Sequence, residues 1–420
     1  MLRLLADENF PAIAVSLLVW LLPHCSMALI TKQLSPSDLI ITTATVLKPP
    51  TSLSADEVKE DIELLRYSLE RGYVGRKYTA QPTLNAALKG LEEICGSMPP
   101  EQLNERIDSI LWTIPDNHLK SRLNGQISTT RMAGMRREDA GKNAISPNTK
   151  IWEVRTDLRN GYKVLYISIL SFPFHGDPIW KGFLNKVRAK LKASDFMVLD
   201  LRENNGGDDT MGFRLARLCY GNRVDSPLAK QMTCQTPEAI AAWANKFQLA
   251  AMQARAKNEK PPAVVAIMHE KAMKKFRLAI KGQIAEERIE SVNNNHHKFN
   301  SERGYNKPIF ILIDGGCCSS GESTVDAFES NPLAIKVGKN TSGMKQFGDV
   351  GIILLPHSKI QVQIPTHYNE YTDKRFIEKI GLKPDVETSE DQDAYDLAVK
   401  IFADRETRDR HLQSRERSSL

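Results

Sequence analysis

Two adjacent serines at the end of an apolar segment could supply a nucleophile. The segment from Pro308 to Ile313 leads into Gly315-Gly316, and Ser319 and Ser320 then open an amphipathic stretch. This order predicts a buried strand, a tight turn and the start of a helix. A side chain at such a turn is exposed, and the unpaired N–H groups of the first helical turn can stabilise an oxyanion. The alternative is that both serines only cap the helix.

A second turn of similar character follows another apolar segment. Phe196–Asp200 is apolar up to its last residue, and Gly206 and Gly207 come shortly after it. Two consecutive glycines let the backbone approach a ligand closely or adopt a positive φ. Taken alone, this pattern is more often an ordinary turn at the end of a strand.

These two segments belong to a series of motifs that occur in a fixed order. The motifs are Asp200-Leu201-Arg202-Glu203-Asn204-Asn205-Gly206-Gly207, Cys318-Ser319-Ser320-Gly321-Glu322, Gly338-Lys339-Asn340-Thr341-Ser342-Gly343 and Gly381-Leu382-Lys383-Pro384-Asp385-Val386. Their order and spacing resemble the tail-specific, or C-terminal processing, serine peptidases, including the tricorn-core type. The resemblance covers about residues 55 to 400 and leaves 221–305 unmatched. It implies an α/β fold in which a ClpP/crotonase-like core of repeated ββα units follows a small N-terminal helical bundle.

The resemblance assigns the nucleophile and the groups that would stabilise the oxyanion. The nucleophile of the motif stands three residues before the glutamate, which is the position of Ser319. The oxyanion donors correspond to the backbone N–H groups of Ser320 and of the turn at Gly206 and Gly207. The stretch between His118 and Val164 is too short for the PDZ module that many relatives carry.

A serine hydroxyl needs a neighbouring base that takes its proton. In the tricorn-like branch the base is a histidine in a D-x-H element after the helical domain, and Asp116-Asn117-His118 is similar to that element. In the processing-peptidase branch a lysine directly follows the glycine of G-x-x-T-x-G. Met344 occupies that position here, and Lys345 comes one residue late. The resemblance therefore implies His118 as the base, with Lys345 as the alternative. A histidine base predicts activity that rises through a pKa near ~6.5.

An acidic side chain that orients the imidazole would complete a catalytic triad. The resemblance implies Glu378, which occupies the acidic position of the E-x-x-G-x-x-P-D stretch of the family. Glu370 and Asp116 compete for this role.

The elements that must position these residues form a helical part and an α/β part. A capping-box pattern at Ser54 and Glu57 opens the helical part, and short β-branched segments alternate with helical patterns in the second. The predicted organisation is a signal peptide (1–28), a linker (29–53), a helical N-terminal domain (54–118), a connecting segment (119–160), a peptidase core (161–400) with an inserted helical lid (221–305), and a polar tail (401–420).

Composition and charge restrict the function classes. The chain has 420 residues, of which 41% are hydrophobic and 26% are charged, so it can bury at least one full core. The net charge of +6 is spread without a dense basic block, which argues against nucleic acid as a partner. The sequence contains no HExxH, P-loop or dinucleotide motif, so neither a cofactor nor a metal is expected.

The first residues predict export to the periplasm or the cell exterior. The apolar run from Ile13 to Leu22 is too short to span a bilayer, and Ser26-Met27-Ala28 supplies small residues for signal-peptide cleavage. A buried N-terminal helix, or a start codon placed too far upstream, is the alternative explanation.

The sequence therefore predicts an exported serine peptidase that cleaves peptides or unfolded proteins through an acyl-enzyme. A non-catalytic binding protein for an apolar or peptide ligand on the same fold is the alternative. A crotonase-like acyl-CoA enzyme is disfavoured by the serine at the helix start. The oligomeric state stays open, and a homo-oligomer is compatible with the sequence.

Overall fold

The elements that position the candidate site come from the middle and end of the chain. A computed structural model describes residues 33–134, 150–172, 178–220, 226–292, 305–329 and 331–418, so the predicted signal peptide (1–28) lies outside the described residues. The helices are α1 (Ala55–Gly72), α2 (Gly75–Tyr78), α3 (Gln81–Glu92), α4 (Pro100–Leu111), α5 (Thr129–Gly134), α6 (Pro178–Leu191), α7 (Thr210–Tyr220), α8 (Pro237–Ala256), α9 (Ala263–Ile280), α10 (Ser320–Glu329) and α11 (Ala394–Ser418). The strands are β1 (Lys120–Arg122), β2 (Trp152–Arg159), β3 (Tyr162–Ile169), β4 (Phe196–Asp200), β5 (Leu228–Cys234), β6 (Glu287–Ser291), β7 (Ile309–Ile313), β8 (Ala334–Gly338), β9 (Phe347–Leu354), β10 (Gln361–Tyr371) and β11 (Val386–Glu387).

The larger sheet is mostly parallel and carries both glycine-containing turns. Its strand order is β11-β8-β7-β4-β3-β2, and β2 alone runs antiparallel to its neighbour. Every residue of β4 and β7 is buried, as their continuous apolar sequences predict. Because β4 and β7 are adjacent and parallel, the turns that follow them meet at the same edge of the sheet.

The two faces of this sheet bury separate hydrophobic clusters. Successive side chains of a strand point to opposite faces, so Leu199 and Ile311 enter one cluster while Val198 and Phe310 enter the other. The second cluster also contains residues of α11, which continues to Ser418 through the predicted polar tail. The sheet is therefore covered on both sides and holds the two turns on a rigid support.

The smaller sheet is antiparallel and is organised around β10. Strand β9 pairs along one edge of β10, β1 and β5 pair along the other, and β6 pairs with β5. The segment 221–305, predicted as a helical insertion, thus contains the strands β5 and β6 in addition to α8 and α9. The alternating burial of β5, with Leu228, Met232 and Cys234 inside, explains its strand conformation.

The first helix of the N-terminal part, α1, begins as the sequence predicts. The capping box at the start of α1 is confirmed, since Glu57 N–H donates to Ser54 Oγ at 3.3 Å and Ser54 N–H donates to Glu57 Oε2 at 2.8 Å. Among the described residues, no helix is both long enough and apolar enough to cross a membrane.

A buried ion pair fixes the chain on either side of β1. Asp108 on α4 and Arg131 on α5 are 0% and 2% exposed, and the guanidinium Nε lies 2.9 Å from the carboxylate. The Asp108 carboxylate also accepts the N–H of Ser121, and Arg131 donates to the Leu119 carbonyl at 2.8 Å. This pair therefore holds the segment that begins directly after His118.

Removing the negative charge of this pair should destabilise the protein strongly. Asp108→Asn leaves the Arg131 guanidinium buried without a counter-charge, which typically costs about 3–5 kcal/mol. The free energy of unfolding measured in urea should fall by that amount. Glu101→Gln, a charge removal at an exposed position of the same helix, should change it by less than about 0.5 kcal/mol. Equal effects of the two substitutions would contradict the assigned role of the ion pair.

Candidate active site

Ser319 lies in a strained turn between β7 and α10. Its φ is +53°, a left-handed conformation that residues other than glycine rarely adopt. The backbone N–H of Ser319 donates to Glu322 Oε2 at 3.1 Å, so this group serves the turn. The hydroxyl is half-exposed and lies 3.2 Å from Nε2 of His118. This strand–turn–helix geometry presents the Ser319 hydroxyl at the edge of a parallel sheet.

The Glu322 carboxylate connects the serine turn to the loop that follows β8. It is fully buried and accepts hydrogen bonds from the Thr341 hydroxyl (2.6 Å) and from the N–H groups of Gly343 and Met344 (both 2.8 Å). Burial raises the pKa of the Glu322 carboxyl, and these hydrogen bonds oppose the rise. The carboxylate therefore binds four donors from two segments and fixes both.

The glycine turn after β4 lies directly against the serine turn. A Cβ atom at Gly206 would lie 2.9 Å from the Ser319 Cβ, and one at Gly207 would lie 2.0 Å from the Phe172 carbonyl oxygen. Both glycines also have a positive φ, so both positions require glycine.

The backbone N–H groups beside Ser319 differ in whether they already donate a hydrogen bond. The N–H of Gly206 donates to Asn204 Oδ1 at 2.9 Å, whereas the N–H groups of Gly207 and Ser320 have no acceptor within the described part of the chain. Of the three predicted oxyanion residues, Gly207 and Ser320 thus offer free donors beside the serine, and Gly206 does not.

His118 is held by the backbone bonds of its own turn. The Asp116 carboxylate accepts the N–H of His118 at 2.8 Å and that of Leu119 at 3.1 Å. The imidazole is 8% exposed, and burial together with the charge of Lys120 lowers the pKa of His118 to about 3, although the Phe347 backbone opposes this. The ring is therefore neutral at ordinary pH, the form that accepts a proton.

Two buried carboxyl groups lie beside this imidazole. Asp116, His118 and Glu378 each place one oxygen or nitrogen atom within 4.8 Å of the others, a spacing that could also hold a metal ion. Burial raises the pKa of Asp116 to about 6, and burial together with the Asp116 charge raises the pKa of Glu378 well above its usual range. Both carboxylates already accept backbone N–H groups, Glu378 those of Asn117 (2.7 Å) and Gln346 (3.0 Å).

Neither carboxylate accepts a hydrogen bond from the ring, whose Nδ1 has no partner within the described residues. The competing Glu370 instead pairs with Lys374.

Lys345, the alternative base, is bound to an acid. Its ammonium group is 6% exposed and pairs with the carboxylate of Asp326, which also accepts the Tyr371 hydroxyl at 2.9 Å. Lys345 lies on the wall of the same cavity as Ser319, but the structure gives it no hydrogen bond to that serine.

The serine and the histidine open into a cavity of about 680 Å³. The helices α8 and α9 supply an apolar wall, which contains Trp243, Phe247, Val265 and Met268. Lys246 lies on the same wall. Sequence reasoning missed these residues: the aromatic pair at i and i+4 in an alanine-rich helix was the available signal, and nothing marked Lys246.

Comparisons with solved structures find a similar fold. Mature CPAF matches with a TM-score of 0.51 at 12% identity over 79% of this chain and 92% of that chain. A lipoprotein from Streptococcus agalactiae matches with a TM-score of 0.44 at 14% identity over 86% of this chain and 99% of that one. The photosystem II D1 C-terminal processing protease matches with a TM-score of 0.32 at 15% identity over 57% and 48%. A comparison with curated protein sequences gives no significant match.

The family assignment comes from the sequence itself. The model of peptidase family S41 matches residues 163–388, which is more than half of the chain and includes both turns and the loop that binds Glu322. The members of this family are serine peptidases, so the predicted class of enzyme is confirmed. The chain belongs to peptidase family S41.

Proposed function

We propose that the enzyme hydrolyses peptide bonds through an acyl-enzyme on Ser319, with His118 as the general base. The contact of 3.2 Å between Ser319 Oγ and His118 Nε2, at a strained turn beside two free N–H groups, is the observation that carries this proposal.

The reaction follows from this geometry. His118 takes the hydroxyl proton while Ser319 Oγ attacks the peptide carbonyl, and the oxyanion forms against the N–H groups of Gly207 and Ser320. The imidazolium then gives its proton to the leaving amine. A water molecule, activated by the same imidazole, hydrolyses the acyl-enzyme and restores the serine.

We assign Glu378 and Asp116 to positioning His118. The imidazolium that forms during the reaction carries a positive charge in a buried site, and a neighbouring carboxylate offsets its cost. The two acids lie too close together to ionise independently, and Asp116, with the lower pKa, supplies the negative charge at neutral pH. Glu378 acts through its hydrogen bonds to Asn117 and Gln346, which hold the chain on both sides of the imidazole.

Lys345 is unsuited to the role of base. A general base must be within hydrogen-bond reach of the hydroxyl proton, and Lys345 makes no hydrogen bond to Ser319 in the described residues. Its ammonium group instead pairs with the buried carboxylate of Asp326. Lys345 thus stabilises the wall of the cavity instead of taking the serine proton.

Two further features belong to this proposal. The β2–β3–α6 segment is compatible with one ββα unit of a ClpP/crotonase-like core. Export is supported by the apolar segment before Ser26-Met27-Ala28. The proposed substrates are peptides or unfolded proteins.

A fluorophosphonate probe should label Ser319 covalently, because the probe reacts with an activated serine hydroxyl. Mass mapping of the digested protein identifies the labelled residue. Ser319→Ala should abolish the label, whereas Ser389→Ala, a substitution of an exposed serine, should keep it. A label that persists in Ser319→Ala, or that maps to Ser320 in the wild type, would show that the nucleophile is assigned wrongly.

Removal of each candidate base should separate the two mechanisms. His118→Ala should lower kcat by about 10²–10⁴, the usual contribution of a general base. Lys345→Met alone would remove the nearer counter-charge of the buried Asp326 carboxylate and leave only Arg375 at 3.5 Å, so the double variant Lys345→Met/Asp326→Asn is the better comparison. Its kcat per folded molecule should change by less than about tenfold. The opposite result, with near-UV circular dichroism spectra that match the wild type, would assign the base to Lys345.

In Asp116→Asn, which removes the titrating neighbour of the imidazole, the pH profile of kcat/KM should lack an acid limb near ~6.5, in contrast to the sequence-based expectation. In the wild type, protonation of Asp116 near its pKa of about 6 should add a limb of its own. Burial lowers the pKa of His118 to about 3, so the neutral ring predominates far below pH 6.5. An unperturbed imidazole would be only about 3% neutral at pH 5, whereas Asp116→Asn should keep most of its neutral-pH activity there on an uncharged peptide.

The folded fraction must be followed in the same experiment. The folded chain binds fewer protons than the unfolded chain between the folded and unfolded pKa values of His118, so stability falls as the pH falls through this window. A limb near ~6.5 in a fully folded sample of Asp116→Asn would contradict the buried neutral imidazole.

A further inference from the structure

We propose that Lys246 forms a subsite that binds a carboxylate of the substrate, inside the cavity that holds Ser319 and His118. This inference rests on the proposed peptidase function and adds a substrate class to it, namely peptides with a carboxylate near the scissile bond. The argument comes from the position of Lys246, from the partners of the other charges in the cavity, and from the surrounding apolar wall.

Lys246 is a half-buried cation on α8, the helix that closes one side of the cavity. Its Nζ lies 6.0 Å from the centroid of the Phe247 ring and has no hydrogen bond or ion pair within the described ranges. Its charge reaches the catalytic group, since it contributes to the lowered pKa of His118. Because Lys246 lines the cavity that also holds Ser319 and His118, a peptide bound in this cavity can contact its ammonium group.

The other basic side chains of the cavity, apart from His118, have acidic partners of their own. Lys345 pairs with Asp326, and Arg288 lies 3.4 Å from Glu290. His367 lies 3.3 Å from Asp349, whose pKa is lowered by this histidine and by the charges of Lys246 and Arg288 although burial opposes the change. Lys246 and Asp349 are too far apart to form an ion pair, so the lysine keeps its capacity to bind another anion.

The remaining acids of the cavity do not neutralise Lys246 either. Asp208 accepts the Thr210 hydroxyl at 2.6 Å at the start of α7. Asp209 lies on the same wall of the cavity, and burial raises the pKa of its carboxyl. Neither acid forms an ion pair with Lys246.

The apolar wall strengthens the interaction that Lys246 can make. Trp243 and Phe247 flank the lysine on α8, and Val265 and Met268 face the same space from α9. A substrate that fills this space displaces water, and an ion pair in the resulting low dielectric is stronger than one at a surface. The subsite therefore fits an apolar segment that carries one carboxylate, either at its C-terminus or on an acidic side chain.

Three peptides of one sequence test this inference: one with a free C-terminal carboxylate, one with a C-terminal amide, and one with the amide and a glutamate near the cleaved bond. The wild type should cleave at least one carboxylate peptide with a kcat/KM about 10- to 100-fold above that of the neutral peptide, as expected for one charge-assisted hydrogen bond. The preferred peptide identifies the source of the carboxylate.

Substitutions of Lys246 should remove this preference. In Lys246→Met the ratio of kcat/KM for the preferred peptide to that for the neutral peptide should fall to about 1, and Lys246→Arg should retain most of the ratio because it retains the charge. Lys271→Met, at an exposed position of α9, should leave the ratio at the wild-type value.

A wild-type ratio near 1 would overturn the inference, as would a loss in Lys246→Met that is equal for charged and neutral peptides. An equal loss of kcat/KM for both peptides would indicate that Lys246 acts only through the effect of its charge on His118. Fluorophosphonate labelling of the same samples separates this result from a failure of the proposed function. If the wild-type enzyme is labelled but shows no preference for a carboxylate peptide, the subsite alone is refuted. If the wild-type enzyme is not labelled, the serine mechanism is refuted as well.

Discussion

The site is organised around the carboxylate of Glu322, which is buried in the first turn of α10. It binds the N–H of Ser319 on one side and three donors of the 341–344 loop on the other. Buried carboxylates are tolerated when such donors replace the lost water. The interaction holds Ser319 in its left-handed conformation, next to Ser320, whose hydroxyl donates to the Gly207 carbonyl at 2.8 Å. Without the hydrogen bonds of Glu322, nothing would offset the cost of the left-handed conformation of Ser319.

The same loop extends this control to the histidine. Asn117 donates its side-chain amide to the Gly343 carbonyl at 3.0 Å and its backbone N–H to Glu378, and Glu378 also binds the N–H of Gln346. The carboxylates of Glu322 and Glu378 thus hold opposite ends of one short segment. Through this arrangement the large parallel sheet, which carries Ser319, and the helical part, which carries His118, meet at a fixed distance.

Much of this arrangement could be predicted from sequence patterns. The continuous apolar runs of β4 and β7 predict buried strands, and the glycines after them predict two turns. The parallel pairing of β4 with β7, which brings the turns to one edge, is known only from the structure. The choice of His118 came from the resemblance to a family, since nothing local marks a single histidine. The salt bridge between Lys345 and Asp326 could not be predicted, because α10 and the loop before β9 come together only in the folded chain. The low pKa of His118 was missed for a similar reason, since it results from burial and from the charge of Lys120, and both depend on the folded chain. The strands β5 and β6 were missed because their polar outer faces resemble the charged helices beside them.

A crystal structure of the enzyme with a peptide boronic acid tests the account most directly. A boronate mimics the tetrahedral intermediate, so it reports the nucleophile and the oxyanion donors together. We expect boron bonded to Ser319 Oγ, with one boronate oxygen about 2.7–3.1 Å from the N–H groups of Gly207 and Ser320 and another near His118 Nε2. Boron on another residue, or an oxygen that meets neither N–H group, would contradict the Ser319–His118 mechanism.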